Sequence, residues 1–220
     1  MKIIDVKNKD YLDLLQSIEQ FVLDNFDTLN ELAEESYSNI DDEYKDKEPR
    51  WFSGKECLDV IKNREDHVGY PMYAKALALR YNAQAAENDD RVYPIIDEFD
   101  KKYLSKLTDF IGARNTAVVS FYPNDGYMSW HTNENASGYN LLLNYSPNGV
   151  GSLNIIGEDG EVYRQVDSKG WTTKAGYFGN SDEEPFWHSV DCNNEWRFTI
   201  GFVIADKAIW EDFIEDIELL

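Results

Sequence analysis

The sequence predicts an α+β protein that is mainly β, a jelly roll with helices before it and one helix after it. Three observations lead to this prediction. Apolar residues recur with helical spacing up to about residue 115, and beyond it short β-type runs alternate with turn-forming residues. Seven or eight short strands at such spacing are typical of a sandwich or jelly roll, not of a parallel sheet. We expect a single domain, with helical support over 1–115, the jelly-roll core over 116–205 and a helix over 206–220.

The first half of the chain predicts helices separated by an acidic loop. An apolar stripe runs over residues 11–26, and 92–111 carry the most regular amphipathic pattern of the chain. The acidic segment between them ends at Pro49, which favours a loop. Ser53 and Glu56 then have the spacing of a capping box, so we expect another helix to begin there.

The second half of the chain predicts strands joined by turns rich in Gly, Pro, Asn and Asp. The expected strands cover residues 118–122, 127–132, 139–145, 152–156, 162–166, 171–178 and 196–204. A final helix over 207–220 closes the chain. There are no internal repeats, so the strands are expected to form one core.

Composition excludes several classes of function. The net charge of −21, from 42 acidic and 21 basic residues, argues against nucleic-acid binding, which depends on Lys and Arg neutralising phosphates. No apolar stretch is long enough for a membrane span. Cys57 and Cys192 form no CxxC pair, so we expect reduced thiols in a cytoplasmic protein. The expected partner is a protein or small-molecule substrate.

Two of the three histidines lie in strand-like runs. His131 and Asn133 share one face of a strand because side chains alternate, whereas His188 must come from another strand. Neutral imidazole is a good ligand for iron. Arg197 and Thr199 follow on one face of the last strand, and the planar guanidinium fork suits bidentate binding of a carboxylate. The pattern predicts a two-histidine metal centre beside an oxyacid-binding arginine.

A plainer interpretation stays open at this point. Each histidine follows a tryptophan, Trp130 or Trp187, and both pairs are compatible with ordinary aromatic packing in a β core. A buried arginine is costly unless it meets a carboxylate, and this favours the metal and oxyacid interpretation. Asn133 stands where a carboxylate ligand is expected, and its amide oxygen lacks the charge that attracts a divalent cation. The third histidine, His67, is expected on the surface, away from the motif.

These residues resemble the Fe(II)/2-oxoglutarate-dependent dioxygenase superfamily, in its prolyl-4-hydroxylase-like branch. The resemblance covers roughly residues 93–204. The residues that carry it are Tyr122, Pro123 and Gly126, then His131-Thr132-Asn133, Leu141-Leu142-Leu143-Asn144, Gly149-Val150-Gly151-Ser152-Leu153, Lys174-Ala175-Gly176-Tyr177-Phe178, His188 and Arg197-Phe198-Thr199-Ile200-Gly201-Phe202.

The resemblance implies a double-stranded β-helix, cupin-like, that holds Fe(II) and 2-oxoglutarate, and it allows ascorbate as an additional reductant. The implied metal ligands are His131, Asn133 and His188. The implied co-substrate residues are Arg197, Thr199, Tyr122 and Asn144. Three aromatic side chains are expected on the substrate side: Trp130, Tyr139 and Trp187.

The implied activity is hydroxylation of a C–H bond in a protein side chain, proline-like, or in a small molecule, with release of succinate and CO2. Because Asn133 replaces the acidic ligand, two alternatives stay open. One is a non-catalytic jelly-roll binding module with a degenerate metal site. The other is a halogenase-like variant, in which two histidines and a water or halide suffice.

Overall fold

A computed structural model of the chain describes residues 1–36, 40–80, 90–113, 116–132, 137–179 and 185–218. The strands in these residues are β1 Lys2–Ile4, β2 Ala74–Lys75, β3 Leu77–Arg80, β4 Thr116–Tyr122, β5 Tyr127–His131, β6 Gly138–Ser146, β7 Ser152–Ile156, β8 Val162–Val166, β9 Gly170–Phe178, β10 His188–Asp191 and β11 Arg197–Ile204. The helices are α1 Lys9–Asp24, α2 Phe26–Glu35, α3 Lys55–Lys62, α4 Tyr93–Phe99, α5 Ser105–Ile111 and α6 Lys207–Glu218. Short 3-10 helices cover Asp42–Tyr44 and Pro49–Ser53, and a π-helical segment, Asp100–Leu104, joins α4 to α5.

Within the described residues the strands form two antiparallel sheets. The larger has the order β1-β9-β6-β11-β4-β3, and the smaller has the order β2-β5-β10-β7-β8. The mainly β prediction with two antiparallel sheets and flanking helices is thereby confirmed. No helix in the described segments combines the length and the apolar character needed to cross a bilayer.

The side chains of β11 alternate between the main hydrophobic core and the space between the two sheets. Phe198, Ile200 and Phe202 are almost fully buried in the main core, which also takes in the buried faces of α1, α2, α4, α5 and α6. Because successive side chains point to opposite faces, Arg197 and Thr199 face away from that core, towards the smaller sheet. The sequence of one strand therefore serves both stability and the site.

The outer face of the smaller sheet has its own apolar cover. The 3-10 helix Pro49–Ser53 and helix α3 pack on it and form a second core cluster. The buried members of this cluster are Phe52, Cys57, Leu58, Ile61, Tyr73, Tyr127 and Trp130. Aromatic rings dominate it, and Phe52 stacks on Tyr127 with ring centroids 4.3 Å apart. This cover leaves the inner face of the smaller sheet for the site.

Two features of the first half differ from the sequence-based expectation. Strands β1, β2 and β3 pair with the edges of the two sheets, although they are too short for a periodic pattern to predict. The expected capping box is wrong, because Gly54 occupies the N-cap of α3 and makes no side-chain bond there. Ser53 instead donates its hydroxyl to the carbonyl of Arg50, at 3.2 Å, and closes the preceding 3-10 helix.

Candidate functional site

A cavity of about 260 Å³ lies between the two sheets and collects most of the predicted site residues. The smaller sheet contributes His131 from β5 and His188 from β10. The larger sheet contributes Arg197 from β11. The remaining predicted co-substrate residues, Tyr122, Asn144 and Thr199, line the same cavity. Residues far apart in sequence thus meet around one cavity.

The two histidines are held as a pair by strand register. His188 lies directly opposite His131 in the β10–β5 ladder, and their ring centroids are 4.1 Å apart. The Nδ1 atoms lie 2.8 Å from the carbonyl of Ser129 and 2.9 Å from that of Phe186. A carbonyl only accepts, so each Nδ1 carries the proton and donates it, which leaves the Nε2 lone pair for a metal.

Burial keeps both imidazoles neutral. Desolvation lowers the pKa of His188 to about 4. The pKa of His131 falls well below its usual value, first through burial and second through the neighbouring His188. Neutral imidazole is the form that coordinates a metal, so both rings are in the ligand state at neutral pH. The two imidazoles are close together, are neutral and have their Nε2 lone pairs free of a proton, so the pair fits a divalent cation such as Fe(II).

The third ligand position is not defined by the described residues. Among them, no group of three or more His, Cys, Asp or Glu side chains could hold a metal ion. The predicted third ligand, Asn133, and its neighbour Glu134 lie outside the described residues. The two-histidine part of the predicted ligand set is therefore assembled in the structure, and the role of Asn133 stays a prediction.

Arg197 is buried and only partly satisfied by the protein. Its Nε donates to Asp167 Oδ2 at 2.7 Å and its Nη1 donates to Thr199 Oγ1 at 2.6 Å. Its Nη2 is buried and has no hydrogen-bond partner among the described residues. Its guanidinium carbon lies 5.9 Å from the centre of the Tyr122 ring, within cation–π range. Arg197 thus retains a donor for an oxyanion, although an internal carboxylate already balances part of its charge.

The charge of Arg197 is secured by Asp167. Burial acts to lower the pKa of Arg197, but the facing carboxylate of Asp167 outweighs it, and the pKa is raised overall. Burial likewise acts to raise the pKa of Asp167, yet Arg197 and then Lys174 bring it below the usual range. All three groups are therefore expected to be ionised at neutral pH.

Thr199 and Asn144 support the guanidinium of Arg197 through a chain of hydrogen bonds. The Thr199 hydroxyl accepts from Arg197 and donates its proton to Asn144 Oδ1 at 3.2 Å. A hydroxyl has a single proton, so the expected donor from Thr199 to the co-substrate is already in use. Both residues line the cavity, and their hydrogen bonds make them supports of Arg197.

Asp167 and Lys174 are part of the site although sequence reasoning did not assign them a role. Lys174 Nζ donates to Asp167 Oδ1 at 2.6 Å and to the carbonyl of Gln165 at 2.5 Å. Both ionic side chains are completely buried. A lysine inside the predicted strand over 171–178 was the available signal, because a charged residue at a core position requires a partner.

Three aromatic residues expected on the substrate side do not line the cavity. Trp130 is buried behind the smaller sheet, where its Nε1 donates to the carbonyl of Gly54 at 2.8 Å. Tyr139 stacks on Trp210 of α6, with ring centroids 5.3 Å apart. Trp187 lines a neighbouring surface groove. Each directly precedes a cavity residue in the sequence, so the alternation of an extended chain turns its side chain away.

His67 lies closer to the site than expected. Its ring stacks on Trp187, with centroids 5.2 Å apart, and its Nε2 lies 3.1 Å from the carbonyl of Tyr70. Tyr70 and Pro71 line the cavity itself. The expectation that His67 lies away from the motif is therefore wrong, because its segment folds back over the residue that precedes His188, although its side chain stays partly exposed as expected.

Comparisons with known proteins give matches among solved structures only. No family model matches the chain, and no curated protein matches it. A prolyl-4-hydroxylase from Pseudomonas putida is 12% identical to this chain, with a TM-score of 0.38. The alignment covers 88% of this chain and 87% of the hydroxylase chain. A full-length protein from Neurospora crassa, solved in complex with alpha-KG, is 10% identical to this chain, with a TM-score of 0.36. The alignment covers 92% of this chain and 73% of the Neurospora chain.

The first of these matches is a prolyl-4-hydroxylase, the kind of protein that the sequence resembles. With TM-scores below 0.5 and such low identity, the two matches assign no activity to this chain. The function has to be inferred from the cavity and from the residues that line it.

Proposed function

We propose that the chain is an Fe(II)- and 2-oxoglutarate-dependent dioxygenase built on a double-stranded β-helix. Its reaction would hydroxylate a C–H bond of a protein side chain, proline-like, or of a small molecule, with release of succinate and CO2. One observation carries the proposal. A single interior cavity holds two neutral imidazoles oriented for metal binding and a buried arginine whose Nη2 donor has no partner among the described residues.

Each residue has a defined task in this proposal. His131 and His188 would hold the metal through Nε2, and Arg197 would bind the distal carboxylate of the 2-oxo acid. Bound iron and 2-oxoglutarate would supply the oxidising chemistry with dioxygen as the oxidant, one oxygen atom going to succinate as the 2-oxo acid is decarboxylated and the other to the substrate. Apolar side chains from both sheets, including Leu142 and Val190, would exclude water from the reacting groups.

A non-catalytic or halogenase-like protein is the second candidate. The observation that favours it is Asn133, which stands in the sequence where a carboxylate ligand is expected. A two-histidine site can hold a metal with water or halide completing the coordination. Formation of succinate from 2-oxoglutarate would exclude the non-catalytic alternative, and the fate of the substrate would separate hydroxylation from halogenation.

The setting we propose is the cytoplasm. Cys57 and Cys192 are both buried free thiols, and burial raises the pKa of each. Proteins in oxidising compartments tend to use their cysteines in disulfides. The substrate we propose is a protein or small molecule and not a nucleic acid, given the net charge of −21.

The proposal predicts separable effects on metal and co-substrate binding. Arg197→Ala should weaken 2-oxoglutarate binding by about a hundredfold, because it removes a positive charge and the charge-assisted Nη2 donor from a buried site. Metal binding should change little, because the imidazole pair lies on the other sheet. Anaerobic calorimetric titrations with Fe(II) and then with 2-oxoglutarate measure the two affinities separately.

Arg164→Ala is the matched control. Arg164 is partly exposed and pairs with Asp191 at 3.0 Å, and it does not line the cavity. Its removal should leave both affinities unchanged. Equal 2-oxoglutarate affinity in Arg197→Ala and the unaltered protein would contradict the proposed role of Arg197.

A further inference from the structure

Lys174, Asp167 and Arg197 form a buried ionic cluster in which the carboxylate is shared. Asp167 accepts from Lys174 through Oδ1 at 2.6 Å and from Arg197 through Oδ2 at 2.7 Å. The exposed fractions of the three side chains are 0% for Lys174, 0% for Asp167 and 1% for Arg197. Within the described residues, neither cation has an ion pair with a second carboxylate.

The cluster carries one unbalanced positive charge. Two cations face one anion, so the net charge is +1 when all three groups are ionised. A buried net charge is costly unless an ion of opposite sign joins it. Of the three side chains, Arg197 lines the cavity, whereas Lys174 and Asp167 lie behind it. An anion in the cavity is therefore the group that would complete the cluster.

Because Lys174 and Arg197 share the Asp167 carboxylate, some guanidinium atoms of Arg197 stay available to a ligand. An aspartate facing a lone arginine tends to form two parallel bonds that use both carboxylate oxygens. Here Lys174 occupies Oδ1, and Arg197 makes one bond to the carboxylate, through Nε. Its Nη1 goes to Thr199, and its Nη2 is left without a partner in the described part of the chain. Lys174 thus prevents Asp167 from using the full fork of Arg197.

We propose that Lys174 is a positioning residue that makes the cavity selective for a 2-oxo acid with a distal carboxylate. It does so without touching the ligand, by occupying one carboxylate oxygen of Asp167 and by contributing the unbalanced charge. This role rests on the proposed function, since the ligand is the co-substrate of that reaction. Loss of the Lys174 charge would let Asp167 neutralise Arg197.

The charge of Lys174 is also sensitive to pH. The pKa of Lys174 is lowered to about 8, because burial outweighs the opposing effect of the Asp167 carboxylate and Arg197 also acts to lower it. The α-amino group of Met1 is the other nearby cation, and its pKa is lowered by burial and then by Lys174. The neighbouring strand β6 presents the apolar Leu142 opposite Lys174. As pH rises through about 8, Lys174 loses its proton and the cluster becomes neutral.

The test compares two ligands that share the chelating 2-oxo acid group. 2-Oxoglutarate carries the distal carboxylate and 2-oxobutyrate lacks it. Binding of each to the Fe(II)-loaded protein is measured anaerobically by calorimetry. Lys174→Met should lose about tenfold in 2-oxoglutarate affinity and keep its 2-oxobutyrate affinity, so that discrimination between the two ligands falls by the same factor. Lys174→Arg, which keeps a cation, should retain discrimination.

Lys169→Met is the matched control, because Lys169 is exposed and close in sequence. It should bind both ligands as the unaltered protein does. A general loss of fold in Lys174→Met would weaken the binding of both ligands together, whereas loss of the proposed role weakens the binding of 2-oxoglutarate alone. Lys174→Met with unchanged discrimination overturns the inference and leaves the proposed function intact.

A pH series on the unaltered protein tests the role without a substitution. The preference for 2-oxoglutarate over 2-oxobutyrate should decline as pH rises from 7 to about 9, through the pKa of Lys174 at about 8. A preference that stays constant over this range overturns the inference even if Lys174→Met does not fold. Failure of the unaltered protein to bind either 2-oxo acid would instead contradict the proposed function, and the role of Lys174 would fall with it.

Discussion

At the scale of single residues, the histidine pair shows how burial sets chemistry. His131 and His188 are assembled by register, and their Nδ1 bonds to backbone carbonyls fix the tautomer. The strand environment supplies the low polarity that keeps them unprotonated. The histidines were identifiable from the sequence because the chain has so few. Their carbonyl partners were not, because the bend of the backbone near each ring decides them.

The same burial makes the metal-free protein sensitive to acid. The pKa of His188 is about 4 when folded against an ordinary value of 6.5, so the unfolded chain binds the proton first as pH falls. Stability present above pH 6.5 should therefore be lost as pH falls from 6.5 towards 4. For this group the loss between pH 7 and 5 is about 2 kcal/mol.

Urea unfolding of the metal-free protein at pH 7, 6 and 5 measures this loss. His188→Asn serves as the comparison, because it keeps a polar side chain that does not titrate. The free energy of unfolding should depend less on pH in the variant than in the unaltered protein. Identical pH dependence in both would contradict the buried neutral state of His188.

At the scale of elements, a buried carboxylate fixes the turn behind the arginine. Glu195, which follows β10, accepts from the backbone N–H of Asn148 at 2.7 Å and of Val150 and Gly151 at 3.0 Å. It also accepts from the hydroxyl of Ser146. These bonds hold the connection between β6 and β7 in place. Gly151 sits directly against the Arg197 side chain, since a Cβ there would come within 3.2 Å of its Cδ.

Glu195→Gln should therefore weaken both the fold and the site. The amide replaces one acceptor oxygen by a donor that faces backbone donors, and loss of charge-assisted bonds costs about 2 kcal/mol. Urea unfolding measures the change in stability, and calorimetry with 2-oxoglutarate measures the site. Glu215→Gln on the exposed side of α6 is the control. Unaltered stability in Glu195→Gln would contradict the role of this carboxylate.

The strands of the second half were predictable because their side chains alternate between a core face and an inner face. β6, β9 and β11 show this directly, with apolar residues packed against helices and site residues facing the cavity. β2 has only two residues and lacks any such pattern. The ion pair of Asp167 with Lys174 could not be predicted either, because it depends on how the end of β8 approaches β9 in space.

At the scale of the whole molecule, the surface and the cavity differ in charge. The chain carries a net charge of −21, yet no acidic side chain lines the cavity within the described residues. In the proposed function a dianionic 2-oxo acid would approach against a negative field, which slows association. The buried positive cluster that contains Arg197 would supply the local attraction for this ligand. Composition predicted the character of the surface but not the opposite sign of the interior.

The central claim is that one cavity holds a metal and a 2-oxo acid together. Anaerobic titration of the protein with Fe(II) and then 2-oxoglutarate tests it most directly, because a chelated complex gives a visible charge-transfer band. We predict a saturable band that is absent in His188→Ala. In Asn133→Asp the band should saturate at a lower iron concentration, because a carboxylate attracts the cation more strongly than an amide does. A missing band at iron concentrations that saturate a weak site would contradict the claim.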